Sequence, residues 1–374
     1  MTFLRRNFSV ATNQTRPVGP DARPNASSPS GPQSDTVGGA RVSFENGNLA
    51  VNGTKRSDNI KLERVDADTL RLTVNGQSKD YDNVRSADIK GGKGADTIDV
   101  ASDLGLESLN IDGGKGNDTI RNVATPAQDS FDRCATPNPF TPKANQMTTI
   151  RGGKGNDDIV TDAERAQIYG GRGADTIKAT GNDVTVDGGR GADNVSVTGD
   201  RARVRGGRGA DTIKVTGSDA VVDGGRGGDN LEVEGDRANV RGGRSADTIT
   251  VKGNDVTVDG GRGADNVSVR GDRARVRGGR GADTIRVTGH DAVVHGGRGR
   301  DNLEVEGDRA NVRGGRSADT IRVRGNDAVV RGGRGRDTLD ITGDRADLSG
   351  GRGVDEITLR GNDARVRLGL SRLW

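Results

Sequence analysis

Through most of the chain, apolar residues come in pairs split by one polar position. Ile177 and Ala179 alternate with polar neighbours, and Val184 and Val186 do the same a few residues later. The equivalents two periods on are Ile213, Val215, Ala220 and Val222. A period of two puts such side chains on one face of a strand. Each unit therefore predicts two short strands that each point two small apolar side chains inward. A tight turn, Thr180-Gly181-Asn182-Asp183, separates the strands, and a longer glycine turn, Asp187 to Asp193, leads to the next pair. From Gly152 onward the unit recurs every 18 residues. A fixed short period predicts stacked rungs in place of one globular core. At about 4.8 Å per rung, the units from Gly170 to Asp355 would form a rod of roughly 50 Å with two sheets and two unlike edges.

Each unit opens on one phrase. It reads Gly170-Gly171-Arg172-Gly173-Ala174-Asp175, then Gly188-Gly189-Arg190-Gly191-Ala192-Asp193, and so on to Gly350-Gly351-Arg352-Gly353-Val354-Asp355. Earlier copies begin at Gly91, Gly113 and Gly152. The 39 residues from Gly113 to Gly152 fit one rung plus an insertion of 21, because Val123 to Met147 holds prolines, Phe131, Phe140 and Cys134 and lacks the repeat. It is expected to leave the stack as a loop. A longer period of 72 is also visible, Gly206–Val258 being nearly copied at Gly278–Val330, which points to internal duplication.

Ahead of the repeats, residues 39–90 alternate like strands around Leu49-Ala50-Val51, Ile60-Lys61-Leu62 and Leu70 to Val74, with a turn at Asn75-Gly76. This predicts a small β-rich cap over the first rung. Residues 1–38 are rich in Pro, Ser, Asn and Arg without an apolar period and are expected to be disordered. The fold class expected is all-β: a right-handed parallel β-roll or β-solenoid over residues 91–374, with an inserted loop at 123–147.

Composition agrees with a thin solenoid. Of 374 residues, 61 are Gly, 2% are aromatic and 30% hydrophobic, too few for a globular core of this length. No apolar run reaches the ~18 residues of a membrane helix. The N-terminus shows no apolar h-region, so a cleaved secretory signal is not expected. Cys134 is the single cysteine. Net charge is +3 from 57 basic and 54 acidic residues, dense and balanced, unlike a dedicated nucleic-acid binder.

The glycine turns put one carboxylate per rung in a column: Asp96, Asp118, Asp157, Asp175, Asp193, Asp211, Asp229, Asp247, Asp265, Asp283, Asp301, Asp319, Asp337 and Asp355. Two unit charges ~5 Å apart repel by ~3 kcal/mol at an effective dielectric near 20. Such a column calls for counter-ions. Carboxylate and carbonyl oxygens suit Ca²⁺ better than Zn²⁺ or Mg²⁺.

Gly-Gly-x-Gly-x-Asp followed by x-apolar-x, as in Gly206 to Lys214, resembles the repeats-in-toxin (RTX) calcium-binding nonapeptide over about Gly91 to Asp355. The resemblance implies a parallel β-roll with several Ca²⁺ ions between turns of successive rungs. Its ligands would be the sixth-position aspartates and turn carbonyls. It also implies export in an unfolded state and folding in extracellular calcium. This chain departs from the family in three ways. The second nonapeptide, such as Val215 to Asp223, has lost the phrase. Ser245 and Ser317 replace a turn glycine, and their rungs are expected to bind poorly. An arginine column, Arg172 to Arg352, runs beside the aspartates. The alternative reading is that those arginines replace calcium by pairing with Asp of an adjacent rung. On the calcium reading, Asp229→Ala would be felt in calcium and hardly at all in chelator.

The far edge alternates in sign: Asp183, Arg201, Asp219, Arg237, Asp255, Arg273, Asp291, Arg309, Asp327, Arg345, Asp363. Opposite charges on adjacent strands favour one register. A polyanion-binding face is the functional alternative, set against the interleaved carboxylates and the lack of aromatic residues for base stacking. His290 and His295 share one rung and read as drift on a solvated edge. Cys134 has no His near it in sequence, the paired carboxylates are products of the repeat, and Lys178, Lys214 and Arg286 interrupt the threonine columns an ice-binding face would need.

The function expected is a non-catalytic calcium-binding repeat protein, structural or adhesive. It is expected outside the cell or at its surface by a route without a signal peptide, with a cytoplasmic location left open. The alternatives are a calcium-independent scaffold held by Arg–Asp ladders and a secreted effector or polyanion-binding module. Calcium ions are the expected partners. A protein or surface polysaccharide would dock on the loop at 123–147. Nucleic acid and a membrane span are not expected.

Overall fold

The computed structural model describes residues 33–124 and 146–367. These residues form a right-handed parallel β-solenoid of about 14 turns with 18-residue rungs and no helix. The N-terminal part is β1 (Gln33–Val37), β2 (Ala40–Glu45), β3 (Asn48–Asn52), β4 (Asn59–Arg64), β5 (Thr69–Val74) and β6 (Gln77–Asp82). Then come β7 (Ser86–Lys93), β8 (Thr97–Val100), β9 (Ser108–Lys115), β10 (Thr119–Asn122), β11 (Met147–Lys154) and β12 (Asp158–Thr161). The same two-strand unit repeats from β13 (Gln167–Arg172) and β14 (Thr176–Thr180) to β34 (Glu356–Arg360) and β35 (Arg365–Arg367).

Odd-numbered strands from β7 stack into one sheet and even-numbered strands from β8 into the other. Equivalent residues sit side by side, Ile177 against Val195 and Val186 against Val204. The inward positions are those the alternation marks. Ile177, Ala179, Val184 and Val186 are buried, as are Ile213, Val215, Ala220 and Val222. Burying one such large aliphatic side chain contributes about 1.5–3 kcal/mol, and stacking makes the gain continuous along the rod.

The parallel stack begins before residue 91. β3 pairs in parallel with β7, and β4 with β8, so the strands around Leu49 and Ile60 already form a rung. Antiparallel strands close both sheets at this end: β1 and β2 extend the β3 edge, and β5 and β6 extend the β4 edge. Residues 33–37, read from composition as part of a disordered segment, are a strand. Gly38 and Gly39, at φ 54° and 91°, turn the chain so that β1 folds back on β2, with Val37 buried. Residues 1–32 lie outside the described residues.

β9 pairs directly with β11, Ile111 beside Ile150, and β10 with β12, Ile120 beside Ile159. The 39-residue interval is therefore one step of the stack. Residues 125–145, with Phe131, Cys134 and Phe140, lie outside the described residues.

Candidate functional site

The glycine turn brings backbone and carboxylate into contact at a spacing only glycine permits. At Gly170 a methyl group would sit 2.5 Å from Asp175 Oδ2 and 2.5 Å from the carbonyl oxygen of Gly188, one rung on. Gly171 and Gly173 hold φ values of 117° and 126°, which side chains rarely adopt. All three glycines of the phrase are thus fixed by close approach or by backbone geometry.

The aspartates that follow turn inward. Asp96 through Asp337 in the column are each at most 2% exposed, and Asp355, in the last complete phrase, is half-buried. Their two oxygens differ. Oδ1 of Asp175 accepts the N–H of Asp157 at 2.9 Å, and Oδ1 of Asp193 accepts the N–H of Asp175 at the same distance. This relay runs down the whole column. Oδ2 is buried without a hydrogen-bond partner in every one of these aspartates from Asp96 to Asp337. Oδ2 and the first glycine carbonyl oxygen of the next rung both border the space that a methyl on the first glycine would fill.

A carboxylate oxygen buried in this way lacks the donor or cation that burial demands. The carboxyl groups register this. Burial, only partly offset by the backbone N–H bond and reinforced by neighbouring aspartates, raises Asp175, Asp211, Asp247, Asp283 and Asp319 to about 7. Asp96, Asp157, Asp229 and Asp301 rise to about 6, burial again being the main cause. Asp118, Asp193, Asp265 and Asp337 also rise.

The arginine column does not fill this role. Arg172, Arg190, Arg208 and their equivalents point to solvent, and among the described residues none is within ion-pair distance of a column aspartate. Arginine in place of calcium on the glycine edge is thereby overturned. The carboxylate faces into the turn while the third-position side chain leaves it. Among the described residues no three His, Cys, Asp or Glu side chains converge on one point. A cation here would take one or two carboxylates and complete its shell with backbone carbonyls, a donor set suited to Ca²⁺.

Ser245 and Ser317 adopt φ of 87° and 86° in the turn. The preceding-rung bonds lengthen, Gly227 N–H to Arg244 O and Gly299 N–H to Arg316 O both being 3.2 Å against 2.8 Å for Gly209 to Arg226. Asp247 and Asp319 in those rungs keep the relay, accepting from Asp229 and Asp301 at 2.9 Å. The serines strain the turn and leave the carboxylate seat intact.

One member of the column escapes sequence reasoning. Asp58 stacks beneath Asp96 and donates its N–H to Asp96 Oδ1 at 2.8 Å. Its own oxygens are satisfied by protein donors, Oδ2 by the Thr54 N–H at 2.6 Å and Oδ1 by Asn75 Nδ2 at 2.8 Å. Only Gly53 and Asp58 survive there from the repeated phrase, and their five-residue spacing was the available signal.

The far edge is built from paired charges. Arg201 grips Asp183 with two bonds of 2.7 and 2.8 Å, and Arg237, Arg273, Arg309 and Arg345 hold Asp219, Asp255, Asp291 and Asp327 in the same way. All sit at φ near +58°, which Asp tolerates better than Arg. His290 replaces an Asx in this turn and accepts the Asp308 N–H through Nδ1 at 3.1 Å, a structural use.

These features define a class: a parallel β-solenoid with one buried, half-satisfied carboxylate per rung along a glycine-turn edge. A family model of the RTX calcium-binding nonapeptide repeat matches this chain in several stretches. The model of that repeat family matches residues 110–121, 149–165, 169–201, 241–273, 271–303 and 307–340. Among solved structures the chain is similar to a hyperactive, Ca²⁺-dependent, β-helical antifreeze protein from an Antarctic bacterium. The two share 22% identity over 68% of this chain and 78% of that one, with a TM-score of 0.47. Comparison with curated proteins gives no match. No helix of the described residues is long and apolar enough to cross a membrane.

Proposed function

We propose that the chain is a non-catalytic, calcium-binding structural or adhesive protein that works outside the cell. Ca²⁺ ions are held between glycine turns of successive rungs. One observation carries the reading: a buried Oδ2 without a donor borders, together with the next rung's first glycine carbonyl, the space beside the first glycine, repeated from Asp96 to Asp337. The ligands assigned are those aspartates and the carbonyls of Gly113, Gly152 and their successors. Asp355 belongs to the set at its open end. Bound calcium neutralises the column and ties each turn to its neighbour. An extracellular setting supplies the free calcium such weakly charged sites require. No catalytic role follows, because every carboxylate of the column is a copy of the same structural position.

The test is calorimetric titration with Ca²⁺ and Mg²⁺, with bound ions counted by native mass spectrometry. Several equivalents of Ca²⁺ and no comparable Mg²⁺ heat are expected. No calcium-specific heat at millimolar ion would overturn the reading. The bidentate far-edge pairs and apolar columns need no metal, so circular dichroism in chelator should still show β-structure.

A further inference from the structure

The arginines that leave the glycine turns form the most unusual surface of the molecule. Lys93, Lys115 and Lys154 stack in register, and Lys154 stands beside Arg172. From there arginine meets arginine at every rung to Arg352. Neighbouring strands are about 4.8 Å apart, so each cation lies directly opposite its like, an arrangement that costs stability. The far edge of the same molecule avoids this by alternating signs. Among the described residues no carboxylate is within ion-pair distance of this ladder.

The ladder is one wall of a groove. Its floor is the second glycine of each turn, Gly207 to Gly297, which has no side chain to fill it. The groove measures about 860 Å³ and continues toward the N-terminal end in a stretch of about 610 Å³ that reaches Gly114. The opposite wall alternates Arg205, Asp223, Arg241, Asp259 up to Arg277. In the rungs after Arg277 the same strand position carries no acid and reads His295, Arg313, Arg331. Burial and then the charges of Arg313 and Arg277 hold the His295 imidazole below its ordinary value.

We propose that this groove binds a linear acidic polysaccharide carrying one carboxylate or sulfate per sugar, seated most tightly along Arg280–Arg334. A cation ladder at about 4.8 Å matches a polymer that advances one sugar ring per charge. Duplex DNA advances about 3.4 Å of helix axis per phosphate of each strand and winds those phosphates around the axis, out of step with a straight ladder. The repeats from Gly170 to Leu373 have no Phe, Tyr or Trp side chain on which single-stranded bases would stack. A bare glycine floor admits a sugar ring lying flat between the two walls. Guanidinium groups take carboxylate or sulfate oxygens by paired hydrogen bonds.

The test uses the full chain, in chelator and again in calcium, so that its outcome is separate from that of the calcium reading. Probes are polygalacturonate oligomers (in chelator alone, since calcium gels them), chondroitin sulfate, neutral dextran, and an oligo-dT of equal charge. The ladder variant is Arg280→Ser, Arg298→Ser, Arg316→Ser. The control removes equal charge from the other sheet: Lys178→Ser, Arg270→Ser, Arg322→Ser. Both acidic glycans should bind with affinity that falls as salt rises, and dextran should not. The ladder variant should bind roughly tenfold more weakly or worse, and the control within about twofold of the parent. Tighter binding of chondroitin sulfate, which carries carboxylate and sulfate alternately, than of polygalacturonate in chelator would show that the ladder takes sulfate in preference to carboxylate alone. Equal losses in the two variants, or tighter binding of oligo-dT than of either glycan, would overturn the proposal.

Discussion

The N–H of Asp211 donates to Oδ1 of Asp229, one rung on, at 2.9 Å. Each aspartate of the column is thus a backbone donor to the next rung and a side-chain acceptor for the previous one. The carboxylate has two jobs, one per oxygen. Oδ1 holds the register of the turn whether or not a cation is present, and only Oδ2 is left for a ligand.

That division separates two substitutions at one position. Asp229→Ala removes both oxygens and orphans the buried Asp211 N–H, a loss of about 1–3 kcal/mol that should appear in chelator as well as in calcium. The expectation that this variant would be nearly silent in chelator is corrected by the Oδ1 bond. Asp229→Asn keeps Oδ1 and turns Oδ2 into a donor on the side of the turn that holds the Gly242 carbonyl; a methyl at Gly224 would meet Oδ2 at 2.5 Å and that carbonyl oxygen at 2.6 Å. It should leave the melting temperature in chelator unchanged or raised, and reduce only the gain on adding calcium. Equal destabilisation of Asp229→Asn in both conditions would refute a ligand role for Oδ2.

The same column fixes the sign of a pH dependence. In the chelated protein, Asp175, Asp211, Asp247, Asp283 and Asp319 keep their protons up to about 7, against an ordinary value of 3.8. Between those limits the folded chain binds more protons than the unfolded one. Stability therefore falls as pH rises through that window. Calcium competes with the protons, so its affinity should increase over the same range. Melting followed by circular dichroism should drop from about pH 5 to about pH 8 in chelator, and the calcium-induced gain should grow. A chelated protein that becomes more stable with rising pH in this window would contradict the buried-carboxylate account.

Much of this site is legible in the sequence, for physical reasons that differ by residue. Ile177, Ala179, Val184 and Val186 announce themselves because a two-residue period has one structural meaning. The column from Asp157 to Asp355 follows from constant spacing alone. Asp58 does not, because Gly53-Thr54-Lys55-Arg56-Ser57-Asp58 keeps the geometry with almost none of the letters. Spacing also cannot tell which carboxylate oxygen is free, nor where Arg172 points. Those depend on side-chain direction within the turn. The far-edge pairing of Arg237 with Asp219 was foreshadowed by the alternation of signs, yet its direction, each Arg reaching back one rung, emerges only in three dimensions.

Ser245 and Ser317 offer a gain of stability. Both hold a φ near 86°, in the positive region where the equivalent glycines sit without strain at wider values, such as 129° at Gly209. Ser245→Gly and Ser317→Gly should each stabilise by about 1 kcal/mol, in chelator and in calcium alike, since the relief lies in the backbone. Urea unfolding would measure it. A loss of stability in either variant would show that the serine side chain makes up for the strain.

Register control on the far edge is open to a charge experiment that leaves the backbone alone. Asp occupies the same left-handed position in alternate rungs, at φ 60° in Asp219 and 59° in Asp255, so Arg237→Asp introduces no new strain. It places a carboxylate between two others and removes a bidentate bond of 2.7 Å per arm. The pair is exposed, so the cost should be a few tenths to about 1 kcal/mol, fading in high salt. The exchange Asp219→Arg with Arg237→Asp keeps attraction within the pair and creates like charges against Arg201 and Asp255. If the bidentate bond alone matters, the exchange should recover most of the loss. If the whole alternating column sets the register, it should melt as early as the single variant at low salt and recover only as salt is added. A single variant as stable as the parent at low ionic strength would remove the charge ladder from the forces that hold the stack in register.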